Sequence, residues 1–222
     1  MKANMYVLAF AFCAVIVATA RGADDASTDK GTDKPGQWVE LFDGKSLDGW
    51  KASEAKDSFM VEDGCIVGHG NPRSHLFYMG TTKPFKNFEL EAQVKTEPTA
   101  NSGIYFHTQY QEKDWPNKGY EAQINNSFPT DPRRTGSLYG IVDVKDPPTK
   151  DNEWFKYYIK VDGKHITIKL DDKTVVDYTE PENPPPFQGR DRKLTEGTFA
   201  LQAHPNSGKT FFKSVKVRRL PD

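Results

Sequence analysis

Asn101-Ser-Gly-Ile-Tyr-Phe-His-Thr-Gln109 and Gly119-Tyr-Glu-Ala-Gln-Ile-Asn-Asn126 each alternate an apolar row with a row of polar and aromatic groups that holds no lysine or arginine. As strands with a two-residue period, the first run sends Ile104, Phe106 and Thr108 to one side and Tyr105, His107 and Gln109 to the other. The second separates Tyr120, Ala122 and Ile124 from Glu121, Gln123 and Asn125. Other strands of the same chain carry ordinary solvated faces: Glu89, Glu91, Gln93 and Lys95 in one, Thr167, Lys169 and Asp171 in another. That contrast marks the polar rows as a surface suited to sugar hydroxyls, with an exposed face rich in amides as the competing explanation.

A third run repeats the pattern. In Thr198-Phe-Ala-Leu-Gln-Ala-His204 the row Phe199, Leu201 and Ala203 is apolar, so Gln202 and His204 face the other way. Short alternating runs separated by Gly, Pro, Asn and Asp recur along the chain, and none sustains a helical period over three turns. The pattern predicts an all-β sandwich or jelly roll. Strands are expected near 38–42, 58–68, 75–79, 87–97, 102–110, 119–126, 136–141, 154–162, 164–171, 174–178, 197–204 and 210–219. Asp63-Gly64 and Asp162-Gly163 read as hairpin turns. The segments 111–118 and 179–195, the latter with four prolines and the basic Arg190, Arg192 and Lys193, are long enough to be binding loops or merely stiffened connections.

Residues 1–20 carry an early Lys2, an apolar run from Tyr6 to Val17 and the small-residue pattern Ala18-Thr-Ala20, and read as a secretory signal peptide. The expected location is secreted or periplasmic, with no membrane insertion after cleavage, since the apolar run is too short to span a bilayer comfortably. Cys13 lies inside that run without the surroundings of a lipoprotein cleavage site, so Cys65 is the cysteine left after cleavage and no internal disulfide is expected. Residues 21–36 have the composition of a disordered linker, and residues 37–222 suffice for one domain with one core. With 30 basic and 31 acidic side chains the formal charge is −1, which offers no field for nucleic acid.

The residues exclude several chemistries. There is no nucleophile elbow, phosphate loop or zinc-protease helix, and the polar rows supply one carboxylate, Glu121, where ordinary glycoside hydrolysis uses two. A divalent metal on His107, Glu121 and His204 is conceivable, although no metal or other cofactor is required. The acidic patch Asp143, Asp146, Asp151 and Glu153 lacks calcium-loop spacing. Tyr105, Trp115, Tyr139 and Trp154 are available as aromatic platforms for a sugar ring, and Arg134 lies in the segment that joins the second run to Tyr139.

The chain resembles the 3-keto-disaccharide hydrolase domain family from Trp38 to its end. The resemblance rests on Leu41-Phe-Asp-Gly-Lys-Ser-Leu-Asp-Gly-Trp50, Phe88-Glu-Leu90, Asn101-Ser-Gly-Ile-Tyr-Phe106, Gly119-Tyr-Glu-Ala-Gln123, Thr135-Gly-Ser-Leu-Tyr139, Asn152-Glu-Trp154, Leu201-Gln-Ala-His204 and Phe212-Lys-Ser-Val-Lys-Val217. It implies a concanavalin A-like jelly roll of two antiparallel sheets with a cleft on the concave sheet, and a carbohydrate partner. The implied activity is cleavage of 3-keto-glycosides or 3-keto-disaccharides by base-assisted elimination followed by hydration. A non-catalytic carbohydrate-binding module is the alternative. The implied catalytic set is Glu121 or His107 as base, with His204 or Tyr139 as acid or enolate donor. Asn101, Tyr105, Gln123, Asn125, Arg134, Trp154 and Gln202 are expected to bind substrate. The chain departs from the family pattern at His107, where many members carry arginine, at Asn125, where many carry aspartate, and at Phe155, where asparagine is common.

Overall fold

The computed structural model describes Met1 and residues 35–222. The expected signal peptide and all but the last two residues of the expected linker therefore lie outside the described residues, Met1 excepted. Thirteen strands follow: β1 (Val39–Glu40), β2 (Trp50–Ala52), β3 (Phe59–Glu62), β4 (Cys65–Gly68), β5 (Ser74–Tyr78), β6 (Phe88–Thr96), β7 (Ser102–Thr108), β8 (Tyr120–Ile124), β9 (Phe155–Asp162), β10 (His165–Leu170), β11 (Lys173–Thr179), β12 (Thr198–Ala203) and β13 (Thr210–Arg219). They form two antiparallel sheets, and the molecule is an all-β jelly-roll sandwich. The larger sheet runs β11-β10-β9-β6-β13-β4-β3, with β1 also on β13; the smaller runs β2-β5-β12-β7-β8.

Period-two alternation builds the core between them. From the larger sheet Phe88, Leu90, Ala92 and Val94 of β6 and Phe155, Tyr157, Ile159 and Val161 of β9 point inward; from the smaller come Ile104, Phe106, Ala122, Ile124, Phe199 and Leu201. All are buried, and this apolar area supplies the main drive to fold. The outward residues of the larger sheet are the solvated rows: Lys216 pairs with Glu91 at 2.7 Å, and Arg218 and the Tyr158 hydroxyl both reach Glu89. The first and last strands meet in this sheet, Val39 opposite Val217, and the Gly36 amide donates to the Arg219 carbonyl at 2.9 Å.

Three local features differ from the pattern. The run 58–68 is a hairpin, as its Asp63-Gly64 signals, both residues taking positive φ (50° and 72°). The expected strand at 136–141 is instead a tight turn in which Leu138 makes isolated bridges to Ala122 and Val142, and Gly136 and Gly140 adopt φ of 90° and 74°. Trp50–Ala52 forms an edge strand on β5 that the pattern did not reveal.

His107 is the largest correction. Phe106 pairs with Phe199 and Thr108 with Thr198, so His107 is the extra residue of a β-bulge with φ 54°. The bulge turns its ring toward the core, edge-on to Phe88 and Phe106. Its Nε2 lies 2.8 Å from the Lys86 carbonyl, and its Nδ1 accepts the Thr195 amide at 3.3 Å, so Nε2 carries the proton and donates. Gly119 and Gly197 close on the bulge, where an added Cβ would sit 2.1 Å from the Phe106 carbonyl oxygen or 2.3 Å from that of Thr108. Burial lowers the imidazole pKa to about 4.

That lowered pKa fixes a sign. Below the ordinary histidine pKa of about 6.5 the unfolded chain takes up a proton that the folded chain refuses, so stability falls as pH drops from there toward the folded value. His107 alone is expected to account for a loss on the order of 3 kcal/mol over that window. Urea unfolding at several pH values should show this fall, and His107→Gln, which keeps a donor but cannot titrate, should make it shallower while the buried His75 keeps its own share. Equal slopes for the two chains would remove the assignment.

Candidate functional site

The smaller sheet is buried on its second face too. Its register sets Phe77, Ala200, Tyr105 and Glu121 in one row across β5, β12, β7 and β8, while Gln202 pairs with His75 and Gly103 with Gln123. Phe77, Tyr105 and Ala200 form an apolar patch covered by Tyr110. Beside it opens a cavity of about 180 Å³ lined by Asn101, Glu121, Gln123 and Gln202 from the sheet region and by His204, Trp115, Asp131, Tyr139, Gln188 and Arg190 around it. The space suits a sugar-sized group, since pockets for drug-sized ligands begin at roughly 300 Å³.

Glu121 sits at the floor, 3% exposed. Its Oε1 accepts from Gln202 Nε2 at 2.9 Å, the Tyr105 hydroxyl donates to the same carboxylate, and Gln202 Nε2 also reaches the Tyr105 oxygen at 3.2 Å. Oε2 faces Arg192 Nη2 at 3.9 Å. Burial raises the Glu121 pKa, while the Arg192 charge and the hydrogen bonds pull it back. Gly103 provides the room: a Cβ there would lie 2.7 Å from Oε1.

Neutral polar groups complete the walls. Gln123 donates to Asn101 Oδ1 at 3.1 Å, and the side-chain carbonyl oxygens of Gln123 and Gln202 have no hydrogen-bond partner among the described residues. His204 Nδ1 lies 2.8 Å from the Pro205 carbonyl, so Nδ1 carries the proton and Nε2 is the acceptor; burial lowers the pKa of the ring. The Tyr139 hydroxyl donates to Asp131 Oδ2 at 2.8 Å, and burial followed by that bond raises its pKa to about 12. Asp131 Oδ1 accepts the Arg133 amide at 2.9 Å. Trp115 packs beside His204 and His75, with the guanidinium groups of Arg73 and Arg190 near its ring.

Of the residues expected from the sequence, Asn101, Glu121, Gln123, Tyr139, Gln202 and His204 line this cavity. Four others do not. His107 faces the core, so the conceivable metal set of His107, Glu121 and His204 is not brought together. Trp154 lies on the outer face of the larger sheet near Lys95 and Lys213. Asn125 and Arg134 are scaffold: the Asn125 amide donates to the carbonyls of Asp131 and Arg133 and accepts from the Phe128 amide and Arg134 Nη1. An aspartate could not make those two donations, which accounts physically for asparagine at this position. Tyr105 is fully buried beneath the cavity and acts through Glu121 rather than as a platform. Two members of the acidic patch are engaged internally, Asp143 by Arg133 and Asp151 by Thr96 and Ser127.

A family model described as the 3-keto-alpha-glucoside-1,2-lyase-like domain matches residues 37–218. The chain belongs to this family. It is 26% identical over 171 residues to a Bacteroides thetaiotaomicron protein named 3-keto-disaccharide hydrolase, the match covering 64% of this chain and 58% of that relative's length. A Parabacteroides distasonis structure described as a candidate glycosyl hydrolase superposes with a TM-score of 0.70 at 21% identity, over 83% of this chain and 94% of that one. A carbohydrate-binding module of Bacillus subtilis superposes at 0.54 with 17% identity, over 76% and 94%.

Several cavity residues of this lyase-like domain lay outside the sequence-based set. Asp131, Gln188 and Arg190 come from irregular segments, as does the buried Arg192 behind the cavity, and there no periodicity assigns direction. Their signal was limited to segment length and composition. His75, which borders a loop in sequence, is a fully buried strand residue next to Gln202, with both ring nitrogens unpartnered among the described residues and a pKa lowered to about 3 by burial.

Two substitutions test this geometry. Gly103→Ala should leave the melting temperature within a few degrees of the parent but displace the Glu121 carboxylate, visible as lost glycan binding by calorimetry; unaltered binding would show that the carboxylate is not confined there. Asn125→Asp should cost roughly 2 kcal/mol in denaturant unfolding, since two buried carbonyls lose their donors, and a neutral result would contradict the scaffold assignment.

Proposed function

We propose that this domain cleaves 3-keto-glycosides by elimination followed by hydration, with Glu121 as the base. The observation that carries the reading is a desolvated carboxylate, Glu121, at the floor of a sugar-sized cavity whose other walls are mostly neutral amides, a phenol and an imidazole. The family match and the name of the Bacteroides relative support the keto-sugar as substrate.

A ketone at carbon 3 acidifies the hydrogen on carbon 2. Glu121 takes that proton, the electron pair of the C–H bond forms the enolate, and the enolate collapses to expel the aglycone oxygen from carbon 1. The C1–O bond breaks, a carbon–carbon double bond forms between carbons 1 and 2, and the departing oxygen takes up the proton that Glu121 removed, which restores the carboxylate. Water then adds across that double bond to give the free 3-keto-sugar. One base suffices, whereas ordinary glycoside hydrolysis needs two positioned carboxyl groups. Asp131 is a second carboxylate in the cavity, but both its oxygens already accept hydrogen bonds.

Side-chain geometry redistributes the remaining roles. The Tyr139 hydroxyl is committed to Asp131, and His204 presents an acceptor nitrogen, so the enolate oxygen is assigned to Arg190, a cavity-lining guanidinium with no carboxylate within 4.0 Å among the described residues. His204 Nε2 and the amides of Asn101, Gln123 and Gln202 hold sugar hydroxyls. The signal-peptide reading of residues 1–20 supports a secreted or periplasmic setting for the activity.

The deciding experiment incubates the domain with matched 3-keto and unoxidised glucosides bearing a chromogenic aglycone, with and without chelator. Release from the keto-sugar alone is expected, with Glu121→Gln lowering the rate by about 100-fold or more. Binding of unmodified glycans without release from either substrate would establish a binding module instead, and full turnover by Glu121→Gln would remove Glu121 as base.

A further inference from the structure

Arg192 is the largest fully buried side chain among the described residues, and its Nε and Nη2 atoms have no hydrogen-bond partner there. A guanidinium sealed from water needs compensating negative charge. The single carboxylate within 4.0 Å of it among the described residues is Glu121, at 3.9 Å, itself buried. Arg192 does not line the cavity; it stands behind the carboxylate, near the Phe187 ring.

The backbone holds the two groups in one frame. Asp191 forms a parallel bridge with Lys118, donates its amide to Asn117 and accepts from the Gly119 amide. Two residues after Gly119 comes Glu121, and one residue after Asp191 comes Arg192. On the far side Glu180 accepts both the Leu194 amide at 2.6 Å and the Tyr120 hydroxyl at 2.7 Å, which clamps residues 191–194 against the start of β8. The segment that carries Arg192 is thus fastened on either side of it to the strand that carries Glu121.

We propose that Arg192 is a positioning residue whose buried guanidinium keeps the Glu121 carboxylate charged and oriented toward the cavity without itself touching the sugar. The proposal rests on the elimination reading for its catalytic meaning, because that reading requires Glu121 to be an anion before substrate enters. The groups facing Glu121 are Tyr105 from β7, Gln202 from β12, Tyr157 from β9, Tyr139 from the following turn, and Arg190 with Arg192 from the 179–195 segment. Tyr105 and Gln202 orient the carboxylate, the Tyr139 and Tyr157 hydroxyls are bonded to Asp131 and the Gln123 carbonyl, and none of the four brings positive charge. Arg190 is partly exposed and Arg192 is not, so solvent screens the first far more than the second.

The sign follows directly. Loss of the Arg192 charge leaves burial less opposed, so the carboxylate takes up its proton at higher pH and the acid limb of kcat/KM moves upward. Arg192→Gln and Arg192→Met should lose activity by about tenfold or more on the acid side and regain most of it at alkaline pH, whereas Arg192→Lys should stay close to the parent limb. The same titration can be followed without turnover, as the infrared carbonyl band of a protonated carboxyl group that disappears in Glu121→Gln. Its midpoint should rise in the Gln and Met chains and be held down in the Lys chain. Identical midpoints in parent, Gln and Met chains would overturn the proposal, as would a Lys chain shifted as far as the neutral ones. If the parent releases no aglycone from keto-glycosides, the elimination reading fails while the infrared titration still decides the role of Arg192.

Discussion

The smaller sheet is buried on both faces, and the cleft takes its character from how the second face is satisfied. Its first face is apolar and packs into the core without conditions. On the second, β7 and β8 bring Glu121, Gln123 and Tyr105 under cover together, where an unpaired polar atom is costly. Tyr105, Gln202 and Glu121 answer that cost by bonding to one another, and Gly103 leaves the space in which they meet. The larger sheet faces no such demand. Its outer rows stay in water and pair lysine and arginine with glutamate, an arrangement worth little energetically and open to drift.

The loops then decide which part of that polar face stays accessible. Residues 110–118 cover the apolar half through Tyr110 and wall the cavity with Trp115, with Gln111 bonding back to the Lys113 and Trp115 carbonyls. Residues 126–139 are shaped by the Asn125 amide and bring Asp131 and Tyr139 to the rim. The proline-rich 179–195 segment supplies Gln188 and Arg190 to the wall and Arg192 behind it. The smaller sheet and these loops together make a small site in which one carboxylate is dry and the neighbouring donors are mostly uncharged.

Strand periodicity made most of this visible in advance. The alternation in 102–106, 120–124 and 199–203 sorted core from cleft, and it placed Glu121, Gln123 and Gln202 together, because a pleated strand leaves a side chain two directions to choose from. The same rule misdirected His107, since one inserted residue reverses the direction and alternation carries no mark of a bulge; the flanking Gly119 and Gly197 were its trace. Asn125 lies just past the last paired residue of β8, where the rule lapses and hydrogen-bonding capacity takes over. Trp154, expected as a platform, rests instead on the outer sheet among lysines. Asp131, Arg190 and Arg192 were out of reach because direction in an irregular segment is set by tertiary contacts made far away in sequence.

The pairing of β1 with β13 bears on how the domain can be handled. With Val39 beside Val217 and Gly36 bonded to Arg219, the two ends of the folded unit emerge side by side from the larger sheet, in the layer opposite the cleft. A tether or fused partner at either end therefore departs from the same spot and leaves the cavity unobstructed. A short linker could join those ends, so that new termini opened in an exposed turn such as Asp162-Gly163 would yield a permuted chain with an undisturbed sheet order.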